Sequence, residues 1–379
     1  MKFVVSSTAL ANKVGLLSRV INKKNALPIL GDILFEVKDG KLTMTGSDSE
    51  VTMTTSIEIA DQEGEGMFCV NAANLKDALP MMTEQPLTII ATAESDQRFT
   101  IQHQSGETFF PLEPSDEYPM PVSKTYNETL PCVPCEWLRD ALKRTLWATG
   151  TSELRPVMCG VNFKLEDGYL DIVGTNGHVI VRSRYSCAGM VSTNRIGSFI
   201  MPNKVANILS SIVESDADFG WNDSEASIHL LQCDITFRLI EGKYPNYNSV
   251  FPQDLSELKE ASVDRSLMMN SIRKVMPFAN ESSGSKMLHL SLDYGKLTIA
   301  GQNIDYFAGA TDTITAGYVG EPVEIGANGQ YLHSMIKNLS GSYCKIKLTD
   351  ATHPVVIEPN EQEDNCEVSM LIMPMLLDK

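Results

Sequence analysis

Hydrophobic and polar positions alternate along this chain in a pattern that occurs three times. In each copy an alternating apolar segment reaches a glycine turn, and a second alternating segment follows it. Such alternation is typical of strands with one buried face, and glycine supplies the positive φ of a hairpin turn. The copies are offset by 128 and 127 residues, as measured between three glycine pairs: Gly40 and Gly46, Gly168 and Gly174, and Gly295 and Gly301. The pattern predicts three homologous units.

Two segments with helical spacing accompany each hairpin. Leu10, Val14 and Leu17 recur at this spacing before the first hairpin, and Leu138 and Leu142 before the second. The predicted helices cover 6–24, 71–82, 135–150, 202–213, 264–280 and 328–340. The fold class is therefore α+β, with three repeated domains that each contain antiparallel strands and two helices. Polar and Pro-rich stretches place the domains at 1–126, 127–253 and 254–379.

The distribution of charge changes what an acidic composition implies. The net charge of −17 should repel nucleic acid from the chain as a whole. The six predicted helices nevertheless carry +9, which leaves −26 for the remaining residues. A basic helical face could bind duplex DNA without sequence preference, by releasing counterions from phosphates. The alternative is that helices simply favour Lys and Arg.

Motifs for catalysis, cofactors and metals are absent from the sequence. It lacks GxxxxGK[ST], GxGxxG and GxSxG, and its six histidines do not stand at ligand spacing. His178 follows Thr175-Asn176-Gly177, which favours a tight turn over a catalytic base. Cys132 and Cys135 form a CxxC without a second ligand pair, and the eight cysteines suit a reducing cytoplasm. We expect a cytoplasmic protein that has no cofactor, no metal and no membrane span; an acidic hydrolase or transferase centred on His178 or the CxxC is the rival hypothesis.

The C-terminal run Ser369–Leu377 is almost wholly apolar. It suits either a buried last strand or the edge of a Met-rich pocket, because flexible thioethers adapt to different apolar partners.

The whole chain resembles the bacterial DNA polymerase III β subunit, or sliding clamp, family. The resemblance is carried by Leu27–Gly31, Leu42–Asp48, Thr175–His178, Tyr244–Tyr247 and Met373–Met375. It implies a head-to-tail homodimer whose six domains close a ring around duplex DNA, with helices inside and sheets outside. The protein would be non-enzymatic. Its other partners would be the polymerase III catalytic subunit, the clamp loader, other polymerases and repair proteins, which dock short peptides between the second and third domains. A scaffold without a DNA role is the third hypothesis.

The resemblance also implies three sets of site residues. The set expected to form the partner-peptide pocket is Met158, Thr175, Gly177, His178, Val179, Ile180, Pro245, Val250, Leu371, Ile372, Met373, Pro374, Met375 and Leu376. The set expected to face DNA consists of basic residues of the predicted helices, of which the resemblance singles out Lys24 and Lys204: Lys13, Arg19, Lys23, Lys24, Lys143, Arg144, Lys204, Arg273 and Lys274. Phe110 and Phe278 are expected at the dimer interface.

The chain departs from the family pattern at three cationic positions of the pocket. Val179 and Leu376 stand where many members have Arg, and Ser249 replaces a basic residue of the Tyr-Pro segment. We therefore expect a pocket that is more apolar and less cationic than is usual in the family.

Overall fold

The computed structural model describes residues 1–22, 25, 27–92, 97–119, 125–190, 196–252, 258–279, 281–282, 285–303 and 306–377. These residues form two compact units. Unit 1 contains Met1–Cys135 and Ser211–Leu239, and unit 2 contains Glu136–Ser210 and Ile240–Lys379.

Each predicted helical range contains a helix, and every helix is shorter than its predicted range. In the described residues the helices are α1 (Ser7–Leu17), α2 (Ala72–Ala78), α3 (Cys135–Thr145), α4 (Asn203–Ile212), α5 (Arg265–Val275) and α6 (Gly329–Asn338). Side chains of Ser6, Asn71, Asp264 and Asn328 accept hydrogen bonds from the first free backbone N–H groups of their helices. These caps fix where four of the helices begin.

The strands follow one order in each third of the chain. The first third contains β1 (Lys2–Ser6), β2 (Asp32–Lys38), β3 (Lys41–Ser47), β4 (Val51–Glu58), β5 (Ala60–Glu63), β6 (Gly66–Asn71), β7 (Pro86–Thr92), β8 (Arg98–His103) and β9 (Gly106–Pro111). The second contains β10 (Glu128–Val133), β11 (Gly160–Glu166), β12 (Tyr169–Thr175), β13 (Val179–Ser186), β14 (Gly197–Pro202), β15 (Ala217–Trp221), β16 (Glu225–Leu230) and β17 (Cys233–Arg238). The third contains β18 (Lys259–Asp264), β19 (Glu281–Ser282), β20 (Ser285–Asp293), β21 (Lys296–Asn303), β22 (Ala308–Gly317), β23 (Val323–Asn328), β24 (Tyr343–Leu348), β25 (Val355–Pro359) and β26 (Cys366–Ile372).

This shared order confirms the predicted triplication. Each repeat runs strand, helix, hairpin, following strand, and then a further strand, a second helix and a three-stranded meander. The hairpins are β2–β3, β11–β12 and β20–β21, and their register is antiparallel throughout. The boundaries at 126/127 and 253/254 remain predictions.

The paired glycines of the repeat have two different physical roles. The first of each pair has positive φ at the hairpin turn, with values of 73° at Gly40, 77° at Gly168 and 71° at Gly295. The second lies against the end of the preceding helix. A Cβ on Gly174 would stand 2.4 Å from the Thr145 carbonyl oxygen, and one on Gly301 3.1 Å from that of Val275. The absence of a side chain therefore lets the hairpin and the helix pack closely.

Unit 1 contains two sheets. One has the order β5-β1-β7-β8-β9, and the other β10-β15-β16-β17-β4-β3-β2-β6. The second sheet joins two repeats, because β17 of the second repeat pairs with β4 of the first, from Phe237↔Val51 to Asp234↔Thr54.

Unit 2 contains one sheet of 13 strands in the order β14-β11-β12-β13-β26-β25-β24-β18-β22-β21-β20-β19, with β23 paired to β20. It repeats the same junction one step further along the chain. The last strand of the third repeat, β26, pairs with β13 of the second, from Val179↔Ile372 to Tyr185↔Cys366. The apolar C-terminal run is therefore in part a buried last strand.

Candidate functional site

The Thr-Asn-Gly-His segment forms a tight turn between β12 and β13 of unit 2. The Asn176 Oδ1 atom accepts hydrogen bonds from the backbone N–H groups of His178 at 2.9 Å and Val179 at 3.1 Å. The Thr175 hydroxyl donates to the Val179 carbonyl at 2.6 Å and accepts from the Gly177 N–H at 3.1 Å. Gly177 has φ +89°, which glycine adopts readily. The motif therefore builds a rigid loop with an exposed His178.

One partner of this turn was not predicted from the sequence. Tyr331 on α6 accepts a hydrogen bond from Asn176 Nδ2 at 3.0 Å, and its ring stacks on that of His178 with centroids 6.4 Å apart. Tyr331 lies about 155 residues away in the chain. The sequence carried no local signal for this contact.

An apolar row crosses three neighbouring strands beside the turn. Ile180 of β13 is opposite Leu371 of β26, which is opposite Val356 of β25. These three side chains form one cluster with Val173 and Tyr247. The row is the floor of the candidate site.

The adjacent residues of the same strands face the other way. Val179, Ile372 and Val355 form the next row of the register, and Val179 and Ile372 are 0% and 2% exposed. Ile372 and Val355 line a closed apolar cavity of about 10 Å³ together with Pro374. Side chains alternate between the two faces of a strand, so all three residues face away from the floor, and Ile372 and Val355 pack inside the third repeat.

The Tyr-Pro segment covers the floor from one side. Tyr247 is buried and donates its hydroxyl to Asp171 Oδ2 at 2.8 Å, while Tyr244 donates to the Val173 carbonyl at 3.2 Å. Tyr244 and Phe251 pack against the apolar cluster. Burial raises the pKa of both tyrosines, so both stay protonated donors.

The residues after β26 form the opposite rim. The Met373 N–H donates to the His178 carbonyl at 2.9 Å, and the Met375 N–H to the Gly326 carbonyl at 2.8 Å. A Cβ on Gly326 would stand 2.5 Å from the Met375 carbonyl oxygen, so this approach requires glycine. Met373 is 40% and Leu376 86% exposed, which leaves apolar surface open at the rim.

The structure contradicts three of the predicted pocket residues. Val179 and Ile372 are not lining residues, because both are buried on the face of the sheet that points away from the floor. Thr175 is 3% exposed and serves the turn rather than a ligand. The residues left to form the site are Met158, Gly177, His178, Ile180, Pro245, Val250, Leu371, Met373, Pro374, Met375 and Leu376, and their contact with a peptide stays a prediction.

Arg144 does not belong in the predicted DNA-facing set. It is 7% exposed, forms an ion pair with Glu363 and lies 3.8 Å from Cys366 Sγ. Burial and pairing remove its charge from solvent. The neighbouring Lys143 is exposed.

The other predicted basic residues differ in how far they are engaged. In unit 1, Lys13 donates to the Gln232 carbonyl at 3.0 Å and Arg19 to Ser211 Oγ at 2.8 Å. In unit 2, Lys274 pairs with Asp312 at 3.1 Å and Arg273 donates to His333 Nε2 at 3.4 Å. Lys204 is partly exposed, and Lys23 and Lys24 lie outside the described residues.

Phe110 lies on an edge strand, and Phe278 lies beside a strand that is paired only in part on one side. Phe110 is in β9, which within the described residues pairs only with β8. Phe278 is 41% exposed, and the 3₁₀ turn that contains it contacts β22. Within the same residues, β22 pairs with β21 along its length but meets β18 only at Ala316 and Gly317.

The CxxC segment that suggested an enzyme is held by its backbone. The backbone N–H groups of Cys132 and Cys135 donate to Asp218 and Asp216, and both thiols are free. In the part of the chain that is described, no three His, Cys, Asp or Glu side chains are grouped as metal ligands would be. No described helix is both long and apolar enough to cross a membrane.

Family models for the DNA polymerase III beta subunit match nearly the whole chain: its N-terminal domain at residues 1–122, its central domain at 132–246 and its C-terminal domain at 248–376. The chain belongs to this family. Curated relatives include the beta sliding clamps of Haemophilus influenzae, 26% identical with 100% of each chain covered, and Halalkalibacterium halodurans, 24% identical with 96% of this chain and 97% of the relative covered.

Solved structures of beta subunits share the fold over the full length. The DNA polymerase III subunit beta of Pseudomonas aeruginosa superposes with a TM-score of 0.92 at 21% identity, and that of Thermotoga maritima with 0.87 at 20% identity, each covering 100% of both chains. A further structure of a P. aeruginosa sliding clamp, with TM-score 0.92, 21% identity and full coverage of both chains, is bound to griselimycin. At this distance the likeness shows the three-repeat fold of the family, and residue roles rest on this chain's own geometry.

Proposed function

We propose that this chain is a DNA sliding clamp that closes into a homodimeric ring around duplex DNA. It tethers the replicative polymerase and other DNA-processing proteins, is non-catalytic, and works in the cytoplasm. Beta sliding clamps among its relatives and the match to three beta-subunit domain models support this proposal.

The observation that carries the ring is the repeated strand junction. The last strand of one repeat pairs with the strand after the hairpin of the preceding repeat, once as β17 with β4 and once as β26 with β13. Within the described residues, the equivalent edge is unpaired along β9 of the first repeat, and along β22 of the third it is paired only at Ala316 and Gly317, with β18. In a dimer, β22 of each chain would pair with β9 of the other chain. The same junction would then occur at two further places.

This arrangement closes rather than extends. Two reciprocal junctions related by a two-fold axis use all four free edges, which leaves none for further chains. Phe110 on β9 and Phe278 beside β22 would then be covered at each interface. The six repeats of two chains would form a ring.

The basic helices give that ring its affinity for DNA. Lys143 and Arg273 are exposed on α3 and α5, and Arg19 just follows α1. Cations near the phosphate backbone act without reading sequence, which allows sliding. With Arg144 excluded and two lysines outside the described residues, the set we propose is Lys13, Arg19, Lys143, Lys204, Arg273 and Lys274.

The apolar floor and rim of unit 2 are the proposed docking site for partner peptides. Ile180 and Leu371 form the floor, and Met373, Met375 and Leu376 form an adaptable rim. A short peptide with aliphatic and aromatic residues fits such a surface, because thioether side chains repack around different apolar shapes.

The test of the proposed function is whether the protein is topologically linked to DNA. The protein is loaded onto nicked circular DNA by the clamp loader of its own organism, and the DNA is then cut once. A linked ring stays on the circle and is lost on linearisation, whereas a protein held by affinity behaves alike on both. Light scattering should give a dimer at micromolar concentration. A monomer, or equal retention before and after cutting, would overturn the proposal.

A matched pair of variants assigns the interface. Phe110→Asp places a charge at the β9 edge and should give a monomer that is not retained on circles. Tyr294→Asp changes an aromatic residue that is 73% exposed at a hairpin turn, and should stay dimeric. If the Phe110→Asp protein stayed dimeric, the proposed pairing of β9 with β22 would be wrong.

A further inference from the structure

We propose that Arg182 makes the docking site selective for peptides that carry a carboxylate beside their apolar residues. This inference rests on the proposed peptide-docking function and specifies the chemistry of its ligand.

Arg182 lies on the same sheet face as the apolar floor. It follows Ile180 by two residues on β13, so the two side chains point the same way, about 6–7 Å apart along the strand. Its partner across the sheet is Ser369, two residues from Leu371. The guanidinium is therefore next to the floor.

The surroundings of Arg182 hold it in place without neutralising it. Its guanidinium carbon lies 4.7 Å from the centroid of the Phe251 ring, and Phe251 packs against the apolar cluster. Its Nη1 atom donates to Asn248 Oδ1 at 3.4 Å, and its buried Nε atom has no partner in the described residues. Among those same residues, no carboxylate lies within 4.0 Å of this guanidinium as an ion-pair partner.

The nearest acids are already committed elsewhere. Asp171 accepts two hydrogen bonds from Arg184, at 2.7 and 2.9 Å, and a third from Tyr247 at 2.8 Å. Glu367 is opposite Arg184 rather than Arg182 in the strand register. Burial, and then the charge of Arg184, lower the pKa of Arg182, while the more distant charges of Asp171 and Glu367 only partly oppose this effect.

Other cations on this sheet face have partners. Lys347 pairs with Glu358 at 2.7 Å, and Lys345 with Glu260 at 3.3 Å. Arg182 thus differs from these cations, because its guanidinium has no carboxylate partner in the described residues. A ligand carboxylate would form an ion pair with Arg182, and partial burial would make that ion pair stronger than one in water.

This position changes the expectation drawn from Val179, Ser249 and Leu376. Of those three residues, Leu376 is 86% exposed and keeps the rim apolar, whereas Val179 is buried and does not reach the rim. The cationic character of the site is retained at a different point, on the sheet beneath Phe251. Selectivity for an acidic peptide then depends on one arginine.

The test uses the full-length protein and three pentapeptides that end in aliphatic and aromatic residues. Two are C-terminally amidated and differ only in an internal Asp or Asn, and the third has the Asn with a free C-terminal carboxylate. Calorimetry should show the wild type binding one acidic peptide about tenfold more tightly than the neutral amide, as a charge-assisted contact provides. Which of the two acidic peptides binds more tightly than the neutral amide shows whether a side chain or a chain terminus supplies the carboxylate.

Arg182→Gln should remove that preference and leave the neutral amide within about twofold of its wild-type affinity. Arg182→Lys should restore part of the preference, and Lys345→Gln, on the same sheet face but with its charge already paired, should leave the preference unchanged. Equal affinities of wild type for all three peptides overturn the inference while the docking function stands. An equal loss of all peptides in Arg182→Gln overturns it in favour of a purely structural stacking role. Failure of wild type to bind any of them contradicts the docking function as well.

Discussion

Neighbouring residues on one strand point to opposite faces of the sheet, and the end of β26 shows what this means for single side chains. Leu371 belongs to the apolar floor, whereas Ile372 faces the interior of the third repeat. Beyond the strand, Met373 and Met375 leave the ladder but keep backbone hydrogen bonds to His178 and Gly326. Their side chains can therefore change without disturbing the backbone that positions them.

Met373→Asp combined with Met375→Asp should abolish peptide binding and leave the dimer intact. Two carboxylates at the rim would have to be desolvated beside an apolar peptide, which costs several kcal/mol. Calorimetry measures the peptide affinity and light scattering the mass. Met81→Asp, at a methionine that is 84% exposed in unit 1, is the control and should bind normally. Unchanged affinity in the double variant would rule out this rim.

Lys143 and Arg144 show that adjacent cations on one helix can have different roles. Arg144→Met should lower the stability of the fold by about 2–3 kcal/mol, because Glu363 loses its buried partner but remains partly exposed. Lys143→Met should leave stability within about 0.5 kcal/mol, as exposed positions usually do. The urea midpoint of the transition that involves unit 2 measures both. A larger loss in Lys143→Met than in Arg144→Met would contradict the assignment.

At the scale of elements, local patterns carried much of the fold. Alternation and turn glycines predicted the three hairpins, and apolar spacing predicted the six helices. The repeat pattern identified the second glycine of each pair, but it did not explain why glycine is required at that position. Gly174 is needed because of Thr145, which lies at the end of a helix 29 residues earlier and is not part of the hairpin pattern.

Gly174→Ala should therefore destabilise the protein by about 2 kcal/mol or more, because backbone lies where the methyl group would be. Gly15→Ala is the matched substitution in the interior of α1, where a Cβ meets nothing within 4 Å. It should stabilise the protein by about 0.5–1 kcal/mol, since alanine loses less backbone entropy in a helix. Thermal unfolding compares the two. A tolerated Gly174→Ala would show that the hairpin and helix can separate at little cost.

The strand partners between repeats could not be predicted in the same way. The pairing of β26 with β13 joins residues nearly 200 positions apart, and no local pattern specifies which edge a strand will find. The same limit applied to the site. Tyr331, and the pairing of Arg144 with Glu363, depend on contacts between repeats, so sequence reasoning missed the first and misassigned the second.

At the scale of the molecule, an acidic protein with basic helices should be kept on DNA by linkage rather than by attraction. A variant with Lys143→Ala and Arg273→Ala removes two exposed helical cations. It should load about three- to tenfold more slowly at low salt, because fewer charges steer the encounter and fewer counterions are released. Its loading should also depend less steeply on salt.

Once closed on circular DNA, the same variant should remain as long as the wild type, since leaving requires an interface to open rather than phosphate contacts to break. Retention is read by gel filtration of loaded circles, and the loading rate by the growth of that fraction with time. Asp223→Asn, which neutralises an exposed acid in the turn between β15 and β16, is the charge-changing control and should not slow loading. If the cation variant escaped from closed circles several-fold faster than wild type, attraction and not linkage would hold the protein on DNA. If it loaded at the wild-type rate at every salt concentration, these helices would not face the duplex.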